Sequence, residues 1–384
     1  MQGCRVSLVR CDDYDRMSVR KSVTRALELL GGPRAIVRPG ESVFLKVNAV
    51  MAAAPETGIV THPEVVRAVV EEFKKVTDRV VIGDSPGGPF TRVFLKRVYE
   101  KTGLAKVAEE TGATLALDTR TVEVPFPQGK SMKRFTLCAS MMEADHLVSI
   151  SKFKTNRYMN ITGPVKNLYG VVPGMTKFSY HSRFENPRDF ADLIVDVHLA
   201  SRPAFHLVDA VEAIDGDGAR NGEIKRMRVI AAGKDAFALE SLMMELAGLE
   251  PADSMALGAA IERGLCPGGA GWLEVLGDSR GELAVGGFRL PGENLFSERF
   301  PARVFERFNR LFAVTPEPLT EKCTGCGKCA LVCPREAITV REGTAVVLTS
   351  KCIRCFCCDE LCEHGAIGMR RPLLARVLGW KRDR

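Results

Sequence analysis

Near the C-terminus the chain reads Cys323-Thr-Gly-Cys326-Gly-Lys-Cys329-Ala-Leu-Val-Cys333-Pro334. Nineteen residues after Cys333 it reads Cys352-Ile-Arg-Cys355-Phe-Cys-Cys358-Asp-Glu-Leu-Cys362. Corresponding cysteines are offset by 29 throughout, and Ala337-Ile338 recurs as Ala366-Ile367. This is an internal duplication, each half a cysteine motif, a short helix, a turn and a short strand. A thiolate at every third residue of a tight loop wraps three ligands round one face of an iron–sulfur cube. The fourth cysteine leaves on a helix and reaches the other cube. The spacing therefore predicts two [4Fe–4S] clusters with crossed ligation, one on Cys323, Cys326, Cys329 and Cys362, the other on Cys352, Cys355, Cys358 and Cys333. Zinc ribbons use two CxxC pairs, so eight thiolates at this spacing favour iron–sulfur chemistry. Cys357 falls between two ligands and reads as a spare thiol.

This segment resembles a bacterial two-cluster ferredoxin domain over about Glu317–Met369. It departs from that pattern at Cys362-Glu363, where the first half has Cys-Pro.

Working outward, the rest of the chain has ordinary globular composition. The 384 residues are 46% hydrophobic and 26% charged, with 35 Gly and 20 Pro, which excludes disordered, collagenous and coiled-coil classes. The formal net charge is +7, but residues 370–384 hold six Arg/Lys against one Asp, so the remainder is near neutral and no nucleic-acid partner is expected. Of 13 cysteines, Cys4, Cys11, Cys138 and Cys266 are scattered, unlike a disulfide scaffold. With no apolar signal region in the opening residues and no long apolar run, a cytoplasmic location is the default expectation.

Residues 1–290 read as an α/β domain with a mostly parallel sheet. Apolar runs at Ser42–Val47, Arg79–Ile82, His146–Ile150, Ala204–Val208 and Met227–Ala231 are candidate strands. They alternate with helical patterns at Ser18–Leu30, Pro63–Val76, Arg92–Thr111, Phe190–Ala200 and Ala236–Ala247. A Gly/Pro stretch at 286–292 marks a boundary. Residues 291–316 then form an amphipathic linker, with Arg299, Arg303, Arg307 and Arg310 on one stripe and Phe300, Val304, Phe308 and Leu311 on another. Residues 317–370 are the ferredoxin-like domain and 371–384 a basic tail. The tail, with Leu373, Leu374, Leu378 and Trp380 among its basic residues, reads as an arm packed on that domain or as a weak membrane-surface contact.

In open α/β sheets ligands bind beyond the carboxyl ends of the strands. Here those ends are polar in a repeated way: Lys46 and Asn48; Gly83-Asp84-Ser85; Lys152, Lys154 and Asn156; Lys166 and Asn167; Asp209, then Asp215 and Asp217. Lys46, Asn48, Ser85, Lys152, Lys154, Lys166 and Asn167 together predict a site for a small anion. Asp84 is the candidate acid/base, with His62 and His181 as alternatives. Asp209, Asp215 and Asp217 are weaker candidates for a divalent cation, and Cys266 for a redox thiol. No GxxxxGK[ST] loop is present, nor a GxGxxG after the first strand, so P-loop ATP hydrolysis and dinucleotide binding are not supported. A flavin or divalent metal is left open.

Taken with Thr61-His62-Pro63-Glu64, Val165-Lys166-Asn167-Leu168-Tyr169-Gly170 and Asp215-Gly-Asp217-Gly, these motifs resemble the DUF362 family, whose members are often fused to a two-cluster ferredoxin domain. The resemblance spans nearly the whole chain. Val47 stands where the family more often has Pro, and Glu240 where it tends to have Asp. The reading that follows is an iron–sulfur oxidoreductase passing electrons to an anionic substrate or second cofactor, with a protein electron donor or acceptor as partner. Its alternatives are an electron-transfer or scaffolding subunit, and a non-redox enzyme with structural or sensory clusters.

Overall fold

The computed structural model describes residues 4–291 and 314–370. The Arg/Phe stripes of the linker and the basic tail lie outside the described residues. The central element is a nine-stranded sheet built from β1 (Cys4–Arg10), β2 (Val43–Lys46), β3 (Val80–Gly83), β4 (Thr114–Leu115), β7 (His146–Asn156), β8 (Asn160–Thr162), β9 (Phe205–Asp215), β10 (Glu223–Gly233) and β11 (Leu273–Gly277). The hairpin β5 (Thr121–Pro125) and β6 (Arg134–Cys138) stands apart. The order is β11-β1-β10-β9-β7-β2-β3-β4, with β8 folded back antiparallel on β7. Only β8 and β10 run against the other strands, so the expected mostly parallel α/β sheet is what forms.

Side-chain alternation divides the core. On β2, Phe44 faces one apolar layer while Val43 and Leu45 face the other. On β9, Val208 and Ala210 oppose Leu207 and Val211. One layer is capped by the helices Pro187–Ser201, Ala236–Ala247 and Met255–Glu262. The other is capped by Arg16–Glu28, Pro63–Lys74, Arg92–Lys101 and Leu104–Thr111. Both faces are thus covered, as parallel strands require. The single helix expected over Arg92–Thr111 is two, because Gly103 takes a left-handed conformation with φ 78°. The strands β7, β9 and β10 each run 11 residues, well beyond their apolar centres. Their polar extensions are what reach past the edge of the core.

The C-terminal region folds as two small antiparallel pairs, β12 (Thr315–Pro318) with β15 (Ile367–Arg370) and β13 (Ile338–Arg341) with β14 (Thr344–Val347). It packs on the carboxyl end of the large sheet. Leu361 and Val332 join Met51, Ile59, Val60 and Phe178 in one apolar cluster. Arg97 Nη2 meets Glu363 Oε2 at 2.9 Å, and Asp359 meets both Arg157, at 3.0 Å, and Asn221 Nδ2, at 3.1 Å. Among the described residues no helix is long and apolar enough to cross a membrane.

Candidate functional site

Parallel pairing sets Lys46, the last residue of β2, beside Gly83 of β3 and Ser149 of β7. Just beyond lies a polar cavity of about 80 Å³ lined by Lys46, Asn48, Asp84, Ser85, Lys154 and Lys166, with Asn156, Asn167, Lys177 and His181. Cys355, Cys357, Glu360 and Leu361 of the C-terminal region line the same cavity.

Lys46 is 1% exposed. Its Nζ donates to Val47 O at 2.7 Å and Asn167 Oδ1 at 3.0 Å, and pairs with Asp84 Oδ1 at 2.8 Å. Burial pulls its pKa down and the Asp84 carboxylate opposes that shift. Asp84 is held in turn: Oδ2 accepts from Ala49 N at 2.7 Å, and Oδ1 from Ser85 N at 2.9 Å. Asn167 Nδ2 donates to Ser149 Oγ, and Asn48 Nδ2 donates to Asn167 Oδ1 at 3.1 Å. Lys154 Nζ donates to Asn48 Oδ1 at 2.9 Å and to Ile59 O. Burial pushes its pKa down to about 7, with Glu360 acting the other way. Lys166 is half-buried, with one long contact, Thr162 Oγ1 at 3.5 Å.

Gly170 explains itself here: a Cβ at this position would collide with the Lys46 ammonium and Asp84 Oδ1. Gly170→Ala should displace the pair and destabilise the protein by about 1–3 kcal/mol. An unchanged urea midpoint would show that the pair has room to shift.

Glu240 sits fully buried beneath the short helix Pro164–Asn167, accepting from Val165 N at 2.9 Å and from Ser254 Oγ. Burial raises its pKa. It holds the start of the segment that carries Lys166 and Asn167.

The other site candidates are distributed as follows. His181 lines the cavity, stacked on Phe190 with centroids 4.2 Å apart; burial lowers its pKa to about 3, so it stays neutral, and its Nδ1 finds no partner among the described residues. His62 and Lys152 belong to a second buried cluster that does not line the cavity. His62 Nδ1 accepts from Glu64 N, capping the helix Pro63–Lys74, and its ring stacks on Tyr14 at 3.7 Å. Lys152 pairs with Asp209 Oδ2 at 3.1 Å, and Asp209 also accepts from Tyr14 OH and His62 N. Asp215 is bound by Arg289 and Asp217 by Arg157. Cys266 is buried in the core, which raises its thiol pKa to about 11.

Lys177 was not among the sequence candidates. Its Nζ donates to Ser85 O at 2.7 Å, to Ser85 Oγ at 3.1 Å and to Val172 O. It lies at the start of the helix Thr176–Arg183, where no strand-end pattern marks it. Glu360 reaches the cavity from the other end of the chain.

In the C-terminal region Cys323, Cys326, Cys329 and Cys362 ring one small enclosed space of about 20 Å³. Cys352 lies near Cys355 and Cys333, and Cys358 near Cys355, Asp359, Cys352 and also Cys329 of the first set. Backbone N–H groups point at sulfur in both sets: Ala345 N at Cys323, Ala366 N at Cys362, Ala337 N at Cys333 and Arg354 N at Cys352, all at 3.2–3.4 Å. All eight are free cysteines. Among the described residues no three His, Cys, Asp or Glu side chains converge on a point where one metal ion would sit. A four-iron cube asks for thiolates spread around its own width, and the ring of Cys323, Cys326, Cys329 and Cys362, with N–H donors to Cys323 and Cys362 sulfur, fits that group.

A family model described as a domain of unknown function (DUF362) matches residues 43–245, and one for a 4Fe–4S binding domain matches residues 316–339. A thylakoid-associated protein of Synechocystis sp. is 31% identical over 293 residues, covering 74% of this chain and 87% of that protein. Among solved structures, the lactate racemase apoprotein from Thermoanaerobacterium thermosaccharolyticum aligns with a TM-score of 0.40 and 16% identity, over 65% of this chain and 58% of the racemase chain.

Proposed function

The chain belongs to the DUF362 family and carries a C-terminal 4Fe–4S binding domain; on that premise we propose that it is an oxidoreductase exchanging electrons with a small anion held in the large-domain cavity. Cys323, Cys326, Cys329 and Cys362 would hold one cluster, and Cys333, Cys352, Cys355 and Cys358 the second. Such clusters supply one-electron transfer when bound. The observation that carries the reading is that Cys355, from the second cysteine set, lines the same cavity as Lys46, Lys154 and Lys166. Even with Lys154 as a free amine, Lys46, Lys166 and Lys177 outnumber the carboxylates Asp84 and Glu360 on that space, so a negatively charged ligand is the complementary one. Asp84 orients Lys46, and both its oxygens are already engaged. Lys166 has the spare donors.

The test is the electron paramagnetic resonance spectrum of anaerobically purified, dithionite-reduced protein titrated with pyruvate, glyoxylate or phosphate. One of these anions should perturb the signal of the second cluster, and Lys166→Met should weaken that response about tenfold or more while leaving iron content unchanged. A spectrum indifferent to all three, with an unrelated protein co-purifying in stoichiometric amount, would instead favour an electron-transfer subunit.

The tail bears on where the protein works. A relative is described as thylakoid-associated, and residues 370–384 carry six basic side chains among Leu373, Leu374, Leu378 and Trp380. At ~1 kcal/mol per basic residue near an anionic surface, weak, salt-sensitive co-sedimentation with phosphatidylglycerol vesicles is expected. Removing residues 372–384 should abolish it without loss of iron. Absence of co-sedimentation at low salt would rule out this role for the tail.

A further inference from the structure

The cavity lysines differ in how their donors are used. An ammonium has three N–H donors and no acceptor, whereas a free amine has two N–H donors and a lone pair. Lys46 Nζ meets three acceptors: Val47 O, Asn167 Oδ1 and Asp84 Oδ1. Lys177 Nζ also meets three: Ser85 O, Ser85 Oγ and Val172 O. Both are satisfied as ammonium ions. Among the described residues Lys154 Nζ meets two acceptors, Asn48 Oδ1 and Ile59 O, and both are uncharged. Two donors facing two acceptors is the balance of a free amine. Lys154 lines the cavity, so a ligand there lies within reach of the position that no acceptor fills.

The surroundings agree. Lys154 is fully buried; Lys166 and Lys152 disfavour its charge, while Glu360 and Asp84 favour it, and burial outweighs them, bringing the pKa to about 7. An amine desolvated beside another cation is the arrangement that activates lysine as a nucleophile. Lys166, on the same cavity, keeps donors for a carboxylate. His181 adds a buried Nδ1 without a partner, a polar atom left for a ligand to satisfy.

We propose that Lys154 is a nucleophilic amine that condenses with the carbonyl group of a small oxo acid whose carboxylate is held by Lys166. This rests on the reading of the cavity as an anion site and names the class of anion. The Lys154 nitrogen adds to the carbonyl carbon and the C=N bond forms as the C–O bond breaks. The carbonyl oxygen leaves as water carrying the two amine protons. No electrons are exchanged, and the step reverses by hydrolysis.

The experiment is reductive trapping. Holoprotein is incubated anaerobically with pyruvate and cyanoborohydride, and lysine adducts are located by peptide mass spectrometry. Lys154 should be labelled at least about tenfold above any other lysine. Its labelling should rise with a midpoint near pH 7, where an ordinary lysine rises near ~10. Lys166→Met should lower the ratio of pyruvate to acetaldehyde labelling about tenfold or more, because acetaldehyde has no carboxylate and any shift in the Lys154 titration affects both probes alike. Iron content confirms that each variant is folded. Pyruvate binding seen by calorimetry without any Lys154 adduct at pH 8 overturns the imine and leaves the anion site standing. Neither binding nor adducts with pyruvate or glyoxylate overturns both. An unchanged ratio of pyruvate to acetaldehyde labelling in Lys166→Met overturns the carboxylate contact.

Discussion

If ligation is crossed as proposed, replacing Cys333 by serine should strip the protein of the cluster that Cys352, Cys355 and Cys358 would hold, and spare the one that Cys323, Cys326 and Cys329 would hold. Cys333 follows those three in the chain, but its neighbour across the fold is Cys352, while Cys362 closes the ring with Cys323, Cys326 and Cys329. With all eight thiolates in use, anaerobic protein should carry about eight iron and eight sulfide, falling to about four of each in Cys333→Ser. Cys333→Ser and Cys352→Ser should erase the same spectroscopic signal; Cys362→Ser and Cys323→Ser should erase the other. If Cys333→Ser pairs with Cys323→Ser instead, ligation is not crossed. Stoichiometric zinc in place of iron would remove the clusters altogether.

The second large effect is expected at Asp84→Asn. The change keeps the shape but leaves the Lys46 ammonium, 1% exposed, without a carboxylate. Breaking one side of a buried ion pair costs about 3–5 kcal/mol, because the remaining charge is uncompensated. Denaturant unfolding should show that loss. The double variant Lys46→Met, Asp84→Asn, which removes the stranded charge, should be more stable than the single one. A loss below about 1 kcal/mol in Asp84→Asn would mean that water or a ligand reaches Lys46, and would return this lysine to the list of groups that contact the anion.

The 4Fe–4S binding region was legible because its signal is local: three of every four expected ligands fall within seven residues, and the motif recurs 29 residues on. The fold class was legible for a similar reason, since short apolar runs alternating with helices leave few arrangements other than a covered parallel sheet. The polar residues at the strand ends were legible from the repeated polar pattern that follows each apolar run. How those residues divide was decided only by the folded chain. Lys152 and Lys154 are two apart on β7 and share a face by the period of a strand, but the pairing with β9 shifts register between them. One goes to Asp209 and Tyr14, the other to Asn48 and the cavity. His62 stands in a motif beside Pro63, and in the fold it serves as a helix cap against Tyr14. Lys177 and Glu360 carry no mark in the sequence; they reach the cavity because the helix Thr176–Arg183 and a second region, the latter nearly 200 residues further on, close over the strand ends. Local spacing specifies ligands that bind within one turn of chain. The charge state and free donors of a buried lysine depend on which acceptors surround it, and tertiary packing chooses those from distant parts of the sequence.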